Sequence, residues 1–228
     1  MHCRLLGAGA IPRAAALPRP YRAARPRLGH APRRHRAPLA RAPSVCQQPP
    51  RRRSGMKAMH YTLAELNGMA AEAFVAALSG IFEHSPWVAE AAAAGRPYAS
   101  VDALHTAMCG IVEQAGEARR LALVNAHPEL AGKAAVRGEL TAESTREQSG
   151  AGLDQCSQAE FDRLQQLNLA YRDRFGFPFI LAVRGYDRHG IIANFESRLA
   201  NTREAELRAS LAQIYRIARF RLDDLIGA

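Results

Sequence analysis

Nothing before residue 56 can build a hydrophobic core, and this confines any fold to the rest of the chain. Residues 1–55 hold thirteen Arg and nine Pro, with no Lys, Asp or Glu. Their like charges repel, proline interrupts any helix, and the apolar residues are too scattered to pack. A disordered basic tail is the expectation. From position 56 onward the chain carries 18 basic and 21 acidic side chains, a net of −3. The formal charge of +10 therefore belongs to the tail. Averaging it over the chain would wrongly suggest a nucleic-acid surface on the folded part.

Three readings of the tail compete. It could be an Arg-rich transit peptide, or a basic arm for RNA or membrane phosphate. It could also precede the true start of translation, at Met56 or Met59. The last is favoured, because a segment dominated by Arg, Ala and Pro and devoid of Lys resembles GC-rich DNA read as protein. The tail has no apolar run of roughly 7–15 residues such as a secretory signal needs. No stretch approaches the ~20 apolar residues of a membrane span.

Residues 56–228 are enough for one core, and their pattern is helical. Thr62-Leu63-Ala64-Glu65 is a capping box that opens a helix, with Gly68 near its end. Ala71 to Phe82 places Phe74, Val75, Leu78, Ile81 and Phe82 on one face. Ser85-Pro86-Trp87 starts another short helix, and Ser100 caps a longer one. Ser157-Gln158-Ala159-Glu160 is a further capping box, and Gly176 suits the end of its helix. Phe177 to Val183 contains a proline inside a short apolar run and reads as a buried extended segment. Helices over about 188–199 and 202–226 complete the chain. The fold class predicted is all-α: a single compact multi-helix domain over 56–228 with one short extended segment. Cys3 and Cys46 fall in the tail. Cys109 and Cys156 are isolated and read as buried thiols, so neither a disulfide framework nor a metal site is expected.

Three places could carry chemistry. His127 precedes Pro128, whose ring pushes it out of the α region. It should stand where a helix ends, with Pro128 suited to a first helical position. An ordinary turn residue is one reading. An acid–base group is the other, since a free imidazole titrates near 6.5. Ser144-Thr145-Arg146-Glu147 has the form of a capping box, and Glu147 alone reads as a cap. It gains interest only beside His127, where a carboxylate can hold the ring and favour its protonated form. Arg221 lies between Ile214 and Ile217 around the last helix, so a guanidinium faces the core. It needs either an internal carboxylate or a substrate carboxylate. Arg198, nearer the rim of its helix, ranks second. His84 and His105 read as structural.

Taken together, His127-Pro128-Glu129-Leu130-Ala131-Gly132-Lys133, Ser144-Thr145-Arg146-Glu147-Gln148 with Ala151-Gly152-Leu153, and Phe175-Gly176-Phe177-Pro178-Phe179 resemble the OHCU decarboxylases. OHCU is 2-oxo-4-hydroxy-4-carboxy-5-ureidoimidazoline, an intermediate of urate breakdown. Glu83-His84-Ser85-Pro86-Trp87 and Arg198-Leu199-Ala200-Asn201 match as well. The likeness spans about residues 60–226 and has no counterpart for the tail. Glu129 stands where the family usually has Asp, keeping the charge and adding a methylene.

The resemblance implies a homodimer that needs no metal or organic cofactor, acts on the small molecule OHCU, releases CO₂ and yields (S)-allantoin. It implies His127 as catalytic acid/base and Glu147 as its partner. It lines the pocket with Pro128, with Ser144, Thr145, Arg146, Glu147 and Gln148, and with Phe179, Ile180, Leu181, Ala182 and Val183. Arg221 matches an arginine of that site, and Arg198 is a second candidate. A bacterial cytoplasmic enzyme, free of membrane and nucleic acid, is the expected setting. The competing reading is a helical interaction module whose basic arm binds nucleic acid. It predicts that removing residues 1–55 abolishes function, whereas the decarboxylase reading predicts unchanged catalysis.

Overall fold

The computed structural model describes residues 60–226. The tail expected over 1–55, with its two Cys and the alternative starts Met56 and Met59, lies outside the described residues. Ten α-helices follow one another: α1 (Leu63–Gly68), α2 (Ala71–Leu78), α3 (Pro86–Ala93), α4 (Val101–Gln114), α5 (Glu117–Ala126), α6 (Lys133–Arg137), α7 (Ala142–Gly150), α8 (Gln158–Phe175), α9 (Arg188–Arg198) and α10 (Arg203–Ile226). Among the described residues there is no strand, so the all-α expectation holds. None of these helices is long and apolar enough to cross a membrane.

Local chemistry accounts for the helix starts. Both capping boxes form: Thr62 with Glu65, and Ser157 with Glu160, each side chain bonding the other residue's backbone N–H. Ser100 accepts from the Ala103 amide and Asp187 from the Gly190 amide. Gly176 ends α8 at φ 81°, a left-handed turn that costs glycine nothing. Two expectations need correcting. α2 stops at Leu78 instead of reaching Phe82, because the Ser79 hydroxyl donates to the Ala76 carbonyl at 2.8 Å and Gly80 follows. Ile81 and Phe82 are buried all the same, from a turn. Pro128 does not begin a helix. It lies in an irregular stretch, and α6 starts only at Lys133.

α10 is the axis of the fold and packs against α4, α5 and α8. Its buried stripe includes Leu211, Ile214, Ile217, Ala218 and Leu222. The Leu225 carbonyl accepts from the Tyr61 amide at 3.0 Å, which joins the two ends of the described chain. An aromatic cluster fills the space between α8 and α9. Tyr171 meets Phe175, Phe179 and Phe195 edge-on, with ring centroids 4.6, 5.3 and 5.6 Å away. Phe179 stacks on Phe195 at 3.8 Å. Phe179 anchors the extended segment, and 177–183 is buried throughout without belonging to a sheet. That leaves its backbone groups to be met by side chains. Arg198 Nη1 donates to the Ile180 carbonyl at 2.6 Å, and the Ala182 amide donates to Gln213 Oε1 at 3.1 Å.

Candidate active site

α5 ends at His127, whose φ of −76° and ψ of 138° are the extended values that Pro128 demands. Freed from the helix, the side chain turns inward and is buried. Its Nδ1 lies 2.9 Å from the Leu123 carbonyl oxygen. A carbonyl can only accept, so Nδ1 carries the proton and Nε2 keeps its lone pair. Burial pulls the imidazole down to about 4, against the opposing pull of the Leu123 carbonyl and of Glu83. The ring is therefore neutral near pH 7.

His127 lines a cleft with Pro128, Leu130, Ser144, Glu147, Gln148, Phe179, Ile180, Leu181, Val183 and Ile217. The structure thus brings together most of the residues the sequence singled out. α7 explains which of its members take part. Its N-cap is Thr141, whose Oγ1 accepts from the Ser144 amide at 3.2 Å. Ser144 and Glu147 therefore do not form a capping box; they lie inside the helix. At 100° per residue Ser144, Glu147 and Gln148 share one face, while Thr145 and Arg146 fall on the other. Thr145 is exposed and bonds back to the Thr141 carbonyl at 2.8 Å. Arg146 is exposed and pairs with Glu143 at 3.4 Å. Neither lines the cleft, nor does Ala182, whose amide is committed to Gln213.

Arg221 does not present free donors to a ligand. Nε and Nη2 clasp both oxygens of Glu147 at 2.7 and 2.9 Å. Nη1 donates to Glu83 Oε2 at 2.8 Å and to the Gly80 carbonyl at 2.9 Å. Nη2 also reaches Ser144 Oγ at 3.3 Å. Between the two anticipated roles the structure selects the internal carboxylate. Burial opposes the charge on Arg221, but the two carboxylates overcome it and hold the guanidinium protonated. Glu147 answers to Arg221, and no hydrogen bond joins it to His127 among the described residues. Arg198 lies behind the cleft. It pairs with Glu206, bonds the Ile180 carbonyl and covers the Phe179 ring at 4.5 Å.

Glu83 is the residue that sequence reasoning left without a role. It is 3 % exposed. It accepts from Thr141 Oγ1 at 2.8 Å and Ser144 Oγ at 3.1 Å as well as from Arg221. Burial pushes its carboxyl up, but Arg221, Thr141 and His127 together bring it below the usual carboxylate range. The signal was present: an acidic residue directly after the buried Ile81 and Phe82. Leu130 and Ile217 were also missed. Ile217 stands one turn before Arg221 on the same face of α10. Among the described residues no cluster of His, Cys, Asp and Glu could hold a metal ion.

A sequence model of OHCU decarboxylase matches residues 67–223. The chain is 44% identical over 166 residues to the uric acid degradation bifunctional protein PucL of Bacillus subtilis, covering 73% of this chain and 33% of that protein. It thus spans about a third of that bifunctional relative's length. It is 42% identical over 161 residues to the 2-oxo-4-hydroxy-4-carboxy-5-ureidoimidazoline decarboxylase of Haloferax volcanii, covering 71% of this chain and 94% of that one. Among solved structures, a crystal structure of (S)-allantoin synthase superposes with a TM-score of 0.58 at 34% identity, over 73% of this chain and 54% of that one.

Proposed function

The chain belongs to the OHCU decarboxylase family, and we propose that in it His127 carries the proton transfers of that reaction. The enzyme removes CO₂ from OHCU in urate breakdown and gives (S)-allantoin. One observation carries the assignment of His127: a buried imidazole at the cleft whose Nδ1–H is committed to Leu123, leaving Nε2 basic.

In the reaction the bond from the ring carbon to the carboxylate breaks and CO₂ leaves. The electron pair moves into the conjugated imine of the ring, which serves as the electron sink. Two proton movements complete allantoin: the hydroxyl must lose its proton, and the neighbouring ring carbon must gain one. A proton from solvent neutralises the ring nitrogen. A neutral His127 begins as the base, takes the hydroxyl proton on Nε2, and returns it to carbon. Delivery from one wall of the cleft fixes the hand of the product.

The cluster beside it has two carboxylates, Glu83 and Glu147, against one guanidinium. It becomes balanced when His127 takes a proton, so it favours the imidazolium that forms in turnover. Glu147, partly open to the cleft, is the member placed to act on substrate. Ser144, Gln148 and Pro128 shape the wall. The Leu181 and Val183 amides have no acceptor among the described residues and are the donors for the ring and ureido carbonyls. Family likeness further supports a cytoplasmic homodimer, and the mildly acidic 56–228 region gives no basis for a nucleic-acid partner.

The test uses the whole chain. OHCU is generated from urate with urate oxidase and hydroxyisourate hydrolase, and optical activity is followed without added metal. One enantiomer of allantoin should appear ahead of the uncatalysed racemate. His127→Ala should fold and lose roughly 10²–10⁴ in rate, the usual contribution of a positioned acid–base group. Near-normal turnover in that variant would remove His127 from the mechanism.

A further inference from the structure

The turn after His127 contains a residue that would not adopt its conformation unaided. Ala131 has φ 50°, in the left-handed region that a Cβ disfavours. Such a residue persists only where its surroundings over-determine it. Here they do. The Ala131 amide donates to Gln148 Oε1 at 2.9 Å, and its carbonyl accepts from Gln165 Nε2 at 2.7 Å. One residue earlier, the Leu130 carbonyl accepts from Asn168 Nδ2 at 3.0 Å. One earlier again, the Glu129 carboxylate accepts from Arg172 Nε at 2.9 Å. The turn is also closed sterically, since a Cβ at Gly132 would stand 2.7 Å from the Glu129 Cβ.

Gln165, Asn168 and Arg172 lie at i, i+3 and i+7 along α8 and so share one face. Each grips one of three successive residues, and the turn runs against the helix: 131, 130, 129. None of the three lines the cleft, whereas Leu130 and His127 do. Stability alone is a poor reason for such a stripe. Asn168 is 4 % exposed and its Oδ1 has no partner among the described residues. A buried acceptor without a partner is a cost, and an apolar residue would avoid it. The stripe accepts that cost to put one donor on Leu130.

We propose that Gln165, Asn168 and Arg172 are positioning residues for the proton transfer at His127. They hold the 129–131 turn in its strained form and thereby fix where the imidazole stands against the substrate. This rests on His127 being the acid–base group. Gln148 already belongs to the cleft and is left untouched in the test.

Gln165→Met in the full chain keeps the side chain's length and removes its donor. It should lower kcat by roughly 10- to 100-fold, the penalty of a small misplacement of reacting groups. KM should stay within about threefold, because ground-state contacts are not touched. Hydrogen exchange of the Ala131 amide should quicken. Adding Ala131→Gly should recover part of kcat, since glycine takes the left-handed conformation at no steric cost. A general loss of structure would not be rescued that way. A folded Gln165→Met with kcat within about twofold of the parent overturns the proposal. So does a double variant without recovery, or unchanged Ala131 exchange. Should Gln165→Met not fold, Arg172→Gln, at an exposed site, must lower kcat by at least about threefold or the proposal falls. Turnover of the parent tests the decarboxylase reading separately, and amide exchange needs no substrate.

Discussion

Two arginines pair with buried carboxylates in this fold, Arg221 itself buried and Arg198 half-buried, and they differ in charge balance. Behind the cleft, Arg198 meets one carboxylate among the described residues, that of Glu206. Every oxygen there is occupied: Tyr171 Oη donates to Glu206 Oε1, and Asn201 Nδ2 to Oε2 at 2.7 Å. Glu206 is fully buried and the pair is neutral overall. Beside the cleft, Arg221 meets two carboxylates, and the side chain of one of them, Glu147, is 23% exposed. The rear cluster has no charge left over and fixes a carbonyl of the extended segment. The front cluster holds one negative charge in excess, next to the one ring that must become positive in turnover. A balanced buried pair serves architecture; an unbalanced one at a cleft serves chemistry.

That contrast can be broken at either end. Glu147→Gln takes the excess charge from the front cluster while keeping its shape. The rate should fall roughly 10²–10³-fold, as when one stabilising group is removed from a transition state, with the melting temperature close to the parent's. Glu206→Gln should do the opposite. It strands Arg198 in the interior and should cost about 3–5 kcal/mol of unfolding free energy in a urea titration, with kcat per folded molecule far less affected. Equal losses of rate in the two variants would erase the distinction.

Acid provides the next test. His127 is held near 4 in the fold and titrates near 6.5 when unfolded. Between those values the unfolded chain takes up a proton that the folded one refuses. Stability should therefore fall as pH drops from about 6.5 to about 4, by roughly 3 kcal/mol from this group. His127→Gln should flatten that part of the curve. The smallest effect is expected on the far face of α7. Thr145→Ala and Arg146→Ala should each stay within about 0.5 kcal/mol in stability and leave the rate unchanged, as exposed residues generally do.

What could be read from the sequence was what neighbours along the chain decide. The Thr62 and Ser157 boxes, the Gly176 terminus and the break at His127-Pro128 each depend on four or five consecutive residues, and each formed. Ser144-x-x-Glu147 has the same local form as those boxes, yet it failed because Thr141, three residues earlier, takes the cap. The helical face then separated Ser144, Glu147 and Gln148 from Thr145 and Arg146, which a contiguous motif cannot do. Arg221 was visibly a cation on an apolar stripe. Its partner Glu83, however, is 138 positions away, and nothing local links them.

The extended segment has a consequence for how the molecule comes into being. Among the described residues its carbonyl at Ile180 is met by Arg198 and its amide at Ala182 by Gln213, and the cleft's charge cluster closes when Arg221 arrives. During synthesis from the N-terminus, α1 to α8 can collapse while this wall still lacks its partners. Closing a loop from Glu83 to Arg221 is among the longest and therefore slowest connections in the described chain. Catalytic competence should accordingly lag behind helix content in refolding, with activity as the last signal to recover.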